Sequence, residues 1–116
     1  MRSIEMPKQD PMDRTSGFLK NNLETMPQKK RIEYLNQKLR GIIQYAYKHS
    51  LGIKNKFDSA GLKPKDIRTI KDLEKISITK KADLVELQKK NPPFGGFEGI
   101  SIHELRRIFV SPGPIY

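Results

Sequence analysis

A mainly α-helical chain closing in one C-terminal β-strand is the fold this sequence predicts, and three observations predict it. Apolar residues recur at helical spacing over 28–50. Short helical stretches with fixed stops follow between 53 and 89. A single β-rich run, Leu105-Arg106-Arg107-Ile108-Phe109-Val110, then leads into a glycine-proline loop. The expected organisation is a loosely ordered arm over 1–26, a helical segment over 27–104, and a strand with the start of a loop over 105–116. A lone strand needs a sheet that this pattern does not supply, so the chain is expected to lean on a larger body.

The arm mixes proline, charge and small polar residues without a 3.6 or 2.0 period, apart from a helical turn expected near Phe18 and Leu19. Pro27 suits the first position of a helix, where its missing N–H has no partner to lose. The helix over 28–50 is the clearest element. Ile32, Leu35, Leu39, Ile42, Ile43 and Ala46 fall within an arc of about 100°, a core-facing stripe. Gly41 weakens that helix by up to about 1 kcal/mol relative to alanine. His49 stands near its C-terminus, where a protonated imidazole suits the helix dipole.

Leu51-Gly52 breaks this helix, and a second is expected over 53–60. Gly61 supplies the left-handed conformation of a helix stop, Leu62 the apolar residue that packs back, and Pro64 prevents resumption. Thr69 with Asp72 makes a capping-box-like T-x-x-D before Ile70, Leu73 and Ile76, which are expected to face inward. Ser77 or Thr79 is expected to cap a fourth helix running to about Lys89, with Leu84 and Leu87 as its apolar pair. Asn91-Pro92-Pro93 ends the helical region, and Phe94-Gly95-Gly96-Phe97 reads as an aromatic surface turn or lid.

Composition narrows the function classes. In 116 residues, 35% are hydrophobic, 31% are charged, and the net charge is +10. That charge suits either a polyanion partner or a lysine-rich solvated surface. A second stripe on the long helix, Arg31, Tyr34, Lys38 and Tyr45, interleaves cations with aromatics. Such a stripe can stack on bases and meet phosphates, or can cover a polar-rimmed packing surface with tyrosine rings and lysine stems. There is no cysteine, so no disulfide framework and no thiolate metal site. No apolar run approaches the roughly 20 residues that span a bilayer, and no secretory signal follows Arg2, so a cytoplasmic location is expected. His49 and His103 are isolated and cannot build a metal centre without carboxylate help. His103 beside Glu104 has no nucleophile placed to use it. No catalytic or metal residue is assigned.

From Phe57 to Leu84 the order of residues becomes specific. F-D-x-A-G-L-x-P-x-D-I, then Ile70 with Asp72-Leu73, then Thr79 and Lys81-Ala82-Asp83-Leu84, resembles the N-terminal region of phenylacetate–coenzyme A ligases. These belong to the acyl-adenylate-forming, AMP-binding superfamily. Pro93-Phe94-Gly95 is similar to the proline-phenylalanine-glycine step of that family. Arg107-Ile108 and Ser111-x-Gly113 stand where its strand enters a serine-, threonine- and glycine-rich phosphate loop. Two departures stand out. The family's proline-aromatic-tyrosine step before the second helix is Leu51-Gly52-Ile53. In the phosphate loop, Pro112 and Pro114 remove two N–H donors, and neither threonine nor lysine follows.

The resemblance implies an N-terminal fragment of an α/β adenylate-forming enzyme, with Ser111 and Gly113 at the nucleotide-phosphate position. For the full-length family it implies ATP, magnesium and coenzyme A: a carboxylic acid becomes an acyl-adenylate, then a thioester. The segment itself would bind none of these alone and would be structural. Its expected partners are the remainder of the ligase, or a second copy through an apolar helix face on Ile32, Leu39 and Ile43. A basic helical nucleic-acid module using Arg31, Tyr34, Lys38 and Tyr45 is the alternative. A regulatory subunit derived from the ligase, favoured by Pro112 and Pro114, is another.

Overall fold

The computed structural model describes residues 17–111. They form four α-helices, α1 (Asn21–Glu24), α2 (Gln28–His49), α3 (Leu51–Ser59) and α4 (Lys81–Lys90). Three 3-10 helices, Pro64–Asp66, Ile70–Lys75 and Ile102–Glu104, lie among and after them. Chain contacts divide the protein into a first unit ending at Glu33 and a second beginning at Tyr34.

In the first unit α1 is held by its own polar groups. The Glu24 carboxylate accepts the N–H groups of Leu19 and Lys20 at 2.8 and 2.7 Å, which answers donors that a helix start leaves open. The Thr25 hydroxyl donates to the Asn21 carbonyl at 2.6 Å. Arg31, in the first turns of α2, donates to the Glu24 carbonyl at 2.9 Å. The expected turn near Phe18 and Leu19 falls a few residues later, and both side chains are exposed.

The second unit is organised around Ser50, the one residue between α2 and α3. Its N–H donates to the Ala46 carbonyl and closes α2, while its own carbonyl accepts the Lys54 N–H and opens α3. The Ser50 hydroxyl caps α3 through the Ile53 N–H, and the residue is 3% exposed. α3 therefore begins two residues earlier than the sequence suggests. Its end is as expected: the Leu62 N–H reaches the Phe57 carbonyl at 2.8 Å and the Gly61 N–H reaches the Asp58 carbonyl at 3.1 Å. Gly61 has φ +66°, so the stop is a Schellman turn.

The core is small. Ile43 of α2, Phe57 of α3 and Ile67 are buried, and Leu39, Tyr47, Ile53, Leu62 and Ile76 pack around them. Each fully buried side chain of this size contributes about 1.5–3 kcal/mol. The Tyr47 and Phe57 rings meet edge-on with centroids 5.8 Å apart. Only part of the α2 stripe is used: Ile32, Leu35 and Ile42 stay exposed. Leu39 and Ile43 pack inside the unit, so of the apolar face expected on Ile32, Leu39 and Ile43 only Ile32 is exposed.

Beyond α3 the backbone is tied by side chains. Asp72 accepts the N–H groups of Arg68 and Thr69, each at 2.9 Å, and completes the expected capping box. Asn36 accepts the Ile70 N–H at 3.0 Å, and Arg40 donates to the Arg68 carbonyl at 3.2 Å, fastening this stretch to α2. Ile70 and Leu73 are half-exposed rather than inward. Neither Ser77 nor Thr79 caps α4; Lys80 holds that position. The Lys56 ammonium instead donates to the Ser77 carbonyl and the Thr79 hydroxyl, so these groups join the loop to α3.

The fold-class expectation needs one correction. The C-terminal β-strand over 105–110 does not form, and the described residues contain no strand. The reason is the missing ladder: a strand's N–H and C=O groups need a neighbour, and none is present among the described residues. Ile108, Phe109 and Val110 are 58%, 85% and 89% exposed. All the regular elements of the described residues are helices.

After α4, residues 91–99 fold back onto the α2–α3 junction. The Gly52 N–H donates to the Gly96 carbonyl at 2.7 Å, and the Phe97 ring lies over Gly52. A Cβ at Gly52 would stand 2.7 Å from Cδ1 of Phe97, inside any tolerable contact. Overpacking of this kind costs about 1–3 kcal/mol. Gly52→Ala should lower stability by that amount in a urea titration; an unchanged midpoint would show that the ring is not seated there.

Asp58 is the centre of a charged cluster on α3. Its carboxylate accepts from the Lys54 ammonium and from the Tyr47 hydroxyl, each at 2.7 Å, with Lys63 at 3.5 Å. The Lys54 and then the Tyr47 hydrogen bonds pull its pKa down to about 2. Asp72 is also held well below the usual carboxylate range, by Lys75 and then by the two backbone donors. A depressed acid stabilises the fold above its ordinary pKa of roughly 4 and loses that contribution as pH falls through the folded value. Stability should therefore drop between about pH 4 and pH 2. Asp58→Asn should flatten that slope in acid titrations followed by circular dichroism.

Candidate functional site

Polar and aromatic residues gather where the loop after α4 meets residues 100–111. α4 closes when the Asn91 N–H reaches the Leu87 carbonyl at 2.9 Å, and the Pro92–Pro93 bond is cis. The Asn91 carbonyl then takes the Gly95 N–H at 2.7 Å, and the Phe94 carbonyl takes the Phe97 N–H at 3.2 Å. Gly95 and Gly96, at φ +67° and +82°, make this reversal possible. The Tyr45 hydroxyl donates to the Gly99 carbonyl at 2.8 Å and pins the far side of the loop to α2.

Phe94 stands between two clefts. One is bounded by Gln88, Pro93, Ile108, Phe109, Val110 and Ser111. The other is bounded by Gln88, Phe97, Glu98, Ile100 and Leu105. Glu98 also borders a more polar hollow with His49, Lys90, Asn91 and Ser101. Its Oε2 is buried without a hydrogen-bond partner among the described residues, which costs about 1–3 kcal/mol for an ordinary polar group. Sequence reasoning passed over Glu98, and also over the seat that Gly52 provides for Phe97. The two phenylalanines flanking Gly95-Gly96 were the available signal for a docked loop.

Ser111 is exposed and borders the first cleft, and Gly113 lies outside the described residues. That cleft has no cationic side chain in its lining, only apolar groups, Gln88 and Ser111. His103 and Glu104 turn to local tasks: the His103 N–H meets the Ser101 hydroxyl at 3.4 Å, and Glu104 accepts the Ser101 N–H at 3.2 Å. Among the described residues no three His, Cys, Asp or Glu side chains cluster to hold a metal ion. No described helix is long and apolar enough to cross a membrane.

The cation–aromatic stripe on α2 is divided between the two units. Arg31 belongs to the first. In the second, the Lys38 ammonium sits 5.6 Å from the Tyr34 ring centroid. Tyr45 packs its ring on His49 at 4.4 Å between centroids.

No protein-family profile matches the chain. A phenylacetate–coenzyme A ligase from Thermus thermophilus is 33% identical over 91 residues, which cover 78% of this chain and 19% of that enzyme. The Escherichia coli phenylacetate–coenzyme A ligase is 35% identical over 77 residues, 66% of this chain and 16% of the enzyme. A crystal structure of 2-hydroxyisobutyryl-CoA ligase in the postadenylation state, in complex with 2-HIB-AMP, superposes with TM-score 0.72. It is 30% identical, and the match covers 82% of this chain and 20% of that one. The same ligase with 2-HIB-AMP and CoA, in the thioesterification state, also gives 0.72. The chain thus spans about a fifth of the length of these relatives. By sequence and by fold it is homologous to the N-terminal region of phenylacetate–coenzyme A ligase-like enzymes, within the adenylate-forming superfamily.

Proposed function

We propose that this chain is an N-terminal structural segment of an acid–coenzyme A ligase. In such an enzyme a carboxylate attacks the α-phosphate of ATP, with magnesium, to give an acyl-adenylate and pyrophosphate. The thiol of coenzyme A then displaces AMP and leaves a thioester. The observation that carries the reading is the coincidence of the two matches, 91 residues against the Thermus ligase and 82% of the chain against 2-hydroxyisobutyryl-CoA ligase. The segment's own task is to brace. Its short capped helices and seated loop present Phe94, Leu105 and the exposed Ile108, Phe109 and Val110 to the larger body of the enzyme.

A chimera tests this. The matched segment of the Thermus phenylacetate–coenzyme A ligase is replaced by the corresponding residues of this chain, and phenylacetate-dependent ATP–pyrophosphate exchange is measured. Exchange should stay within about tenfold of the parent enzyme, a barrier change of roughly 1.4 kcal/mol. A folded but inactive chimera would reject the bracing role. Exchange by the isolated chain would show that it carries catalytic groups of its own.

A further inference from the structure

The outer face of α2 carries an irregularity that the chain's own packing does not explain. Gly41 sits inside a 22-residue helix, where glycine costs about 1 kcal/mol against alanine. Yet a Cβ there would meet nothing within 4 Å, so nothing described in this chain needs the small residue. Gly52, by contrast, is forced by the Phe97 ring. Tyr34, Gly41 and Tyr45 share one face, and with Gln37, Lys38 and Ile42 they line a shallow groove whose floor is the glycine. Ile42 is 58% exposed and Tyr45 44%.

Charge indicates what fits. From Tyr34 to Phe57 the chain contains no aspartate or glutamate, while Lys38 lines the groove and Lys48 follows on the same face of α2. A second copy would set these lysines against each other, at a net charge of +10 per chain. Bases fit less well, because the Tyr45 ring is already stacked on His49 and its hydroxyl is spent on Gly99. A glycine floor between two tyrosines admits the ridge of a helix at close approach. We propose that this groove docks an amphipathic helix of a partner polypeptide, with carboxylates placed to meet Lys38. The proposal does not depend on the ligase reading.

The test uses the full chain and two synthetic helical peptides of about 20 residues with identical Leu/Ala faces. One carries flanking glutamates and the other lysines. By isothermal titration calorimetry the acidic peptide should bind at least about tenfold more tightly than the basic one, and should weaken as salt rises from about 50 to 200 mM. Gly41→Phe replaces a helix-weakening glycine at an open position, so it should not lower the melting temperature, and should weaken the acidic peptide about tenfold or more. Lys38→Glu, an independent variant, should reverse the preference between the peptides. The proposal is overturned if the acidic peptide fails to bind at millimolar concentration, if both peptides bind equally, or if neither variant changes binding. Two other results also overturn it. One is an oligothymidylate that occupies this face in place of the acidic peptide. The other is a dimer in sedimentation that Gly41→Phe dissolves.

Discussion

The contact between the Phe97 ring and the bare Cα of Gly52 is the constraint on which the second unit depends. It lets the loop after α4 lie directly on the start of α3, so that the Gly52 N–H reaches the Gly96 carbonyl. That bond matters because helix starts leave donors unsatisfied, and this one is buried with the residue that bears it. Ser50 adds the second tie, its hydroxyl lying 3.4 Å from the same carbonyl. Without the glycine the ring has no room, the loop loses its seat, and the cleft between Phe94 and Leu105 loses a wall.

Polar chemistry holds much of what the small core does not. Three buried apolar side chains are few for so many short elements. Lys56, Asn36, Arg40 and Asp72 each satisfy backbone groups of neighbouring turns, which keeps the 3-10 segments in place without a sheet behind them. Such bonds contribute about 0.5–1.5 kcal/mol each, somewhat more where a charge takes part. A segment built this way keeps its shape while leaving apolar groups such as Ile42, Phe109 and Val110 on its surface. The same surplus of exposed apolar area agrees with a chain that spans about a fifth of its relatives' length.

The two mid-chain glycines separate two kinds of requirement. Gly52 is demanded from within, by a ring 2.7 Å from where its Cβ would stand. Gly41 has open space at the same position, and from Tyr34 to Phe57 no carboxylate stands around it. Sequence patterning treats both as weak points in helices, because propensity measures only the local cost. Their difference is a property of neighbours distant in sequence.

What could be read from the sequence alone was whatever is settled within three or four residues. α2 follows from its apolar period, the α3 stop from Gly61 and Leu62, and the turn at Thr69 from Asp72, because each rests on hydrogen bonds between near neighbours. The ordered motifs from Phe57 to Leu84 also sufficed to place the chain beside the phenylacetate–coenzyme A ligases, since family likeness is itself a property of sequence. Tertiary structure alone decided which side of α2 is buried, why Gly52 must be glycine, and that Lys56 claims the Thr79 hydroxyl that was expected to cap α4. It also decided that Leu105 to Val110 make no strand. A β-ladder is completed by a partner elsewhere, and among the described residues no partner exists, however well the side chains suit one.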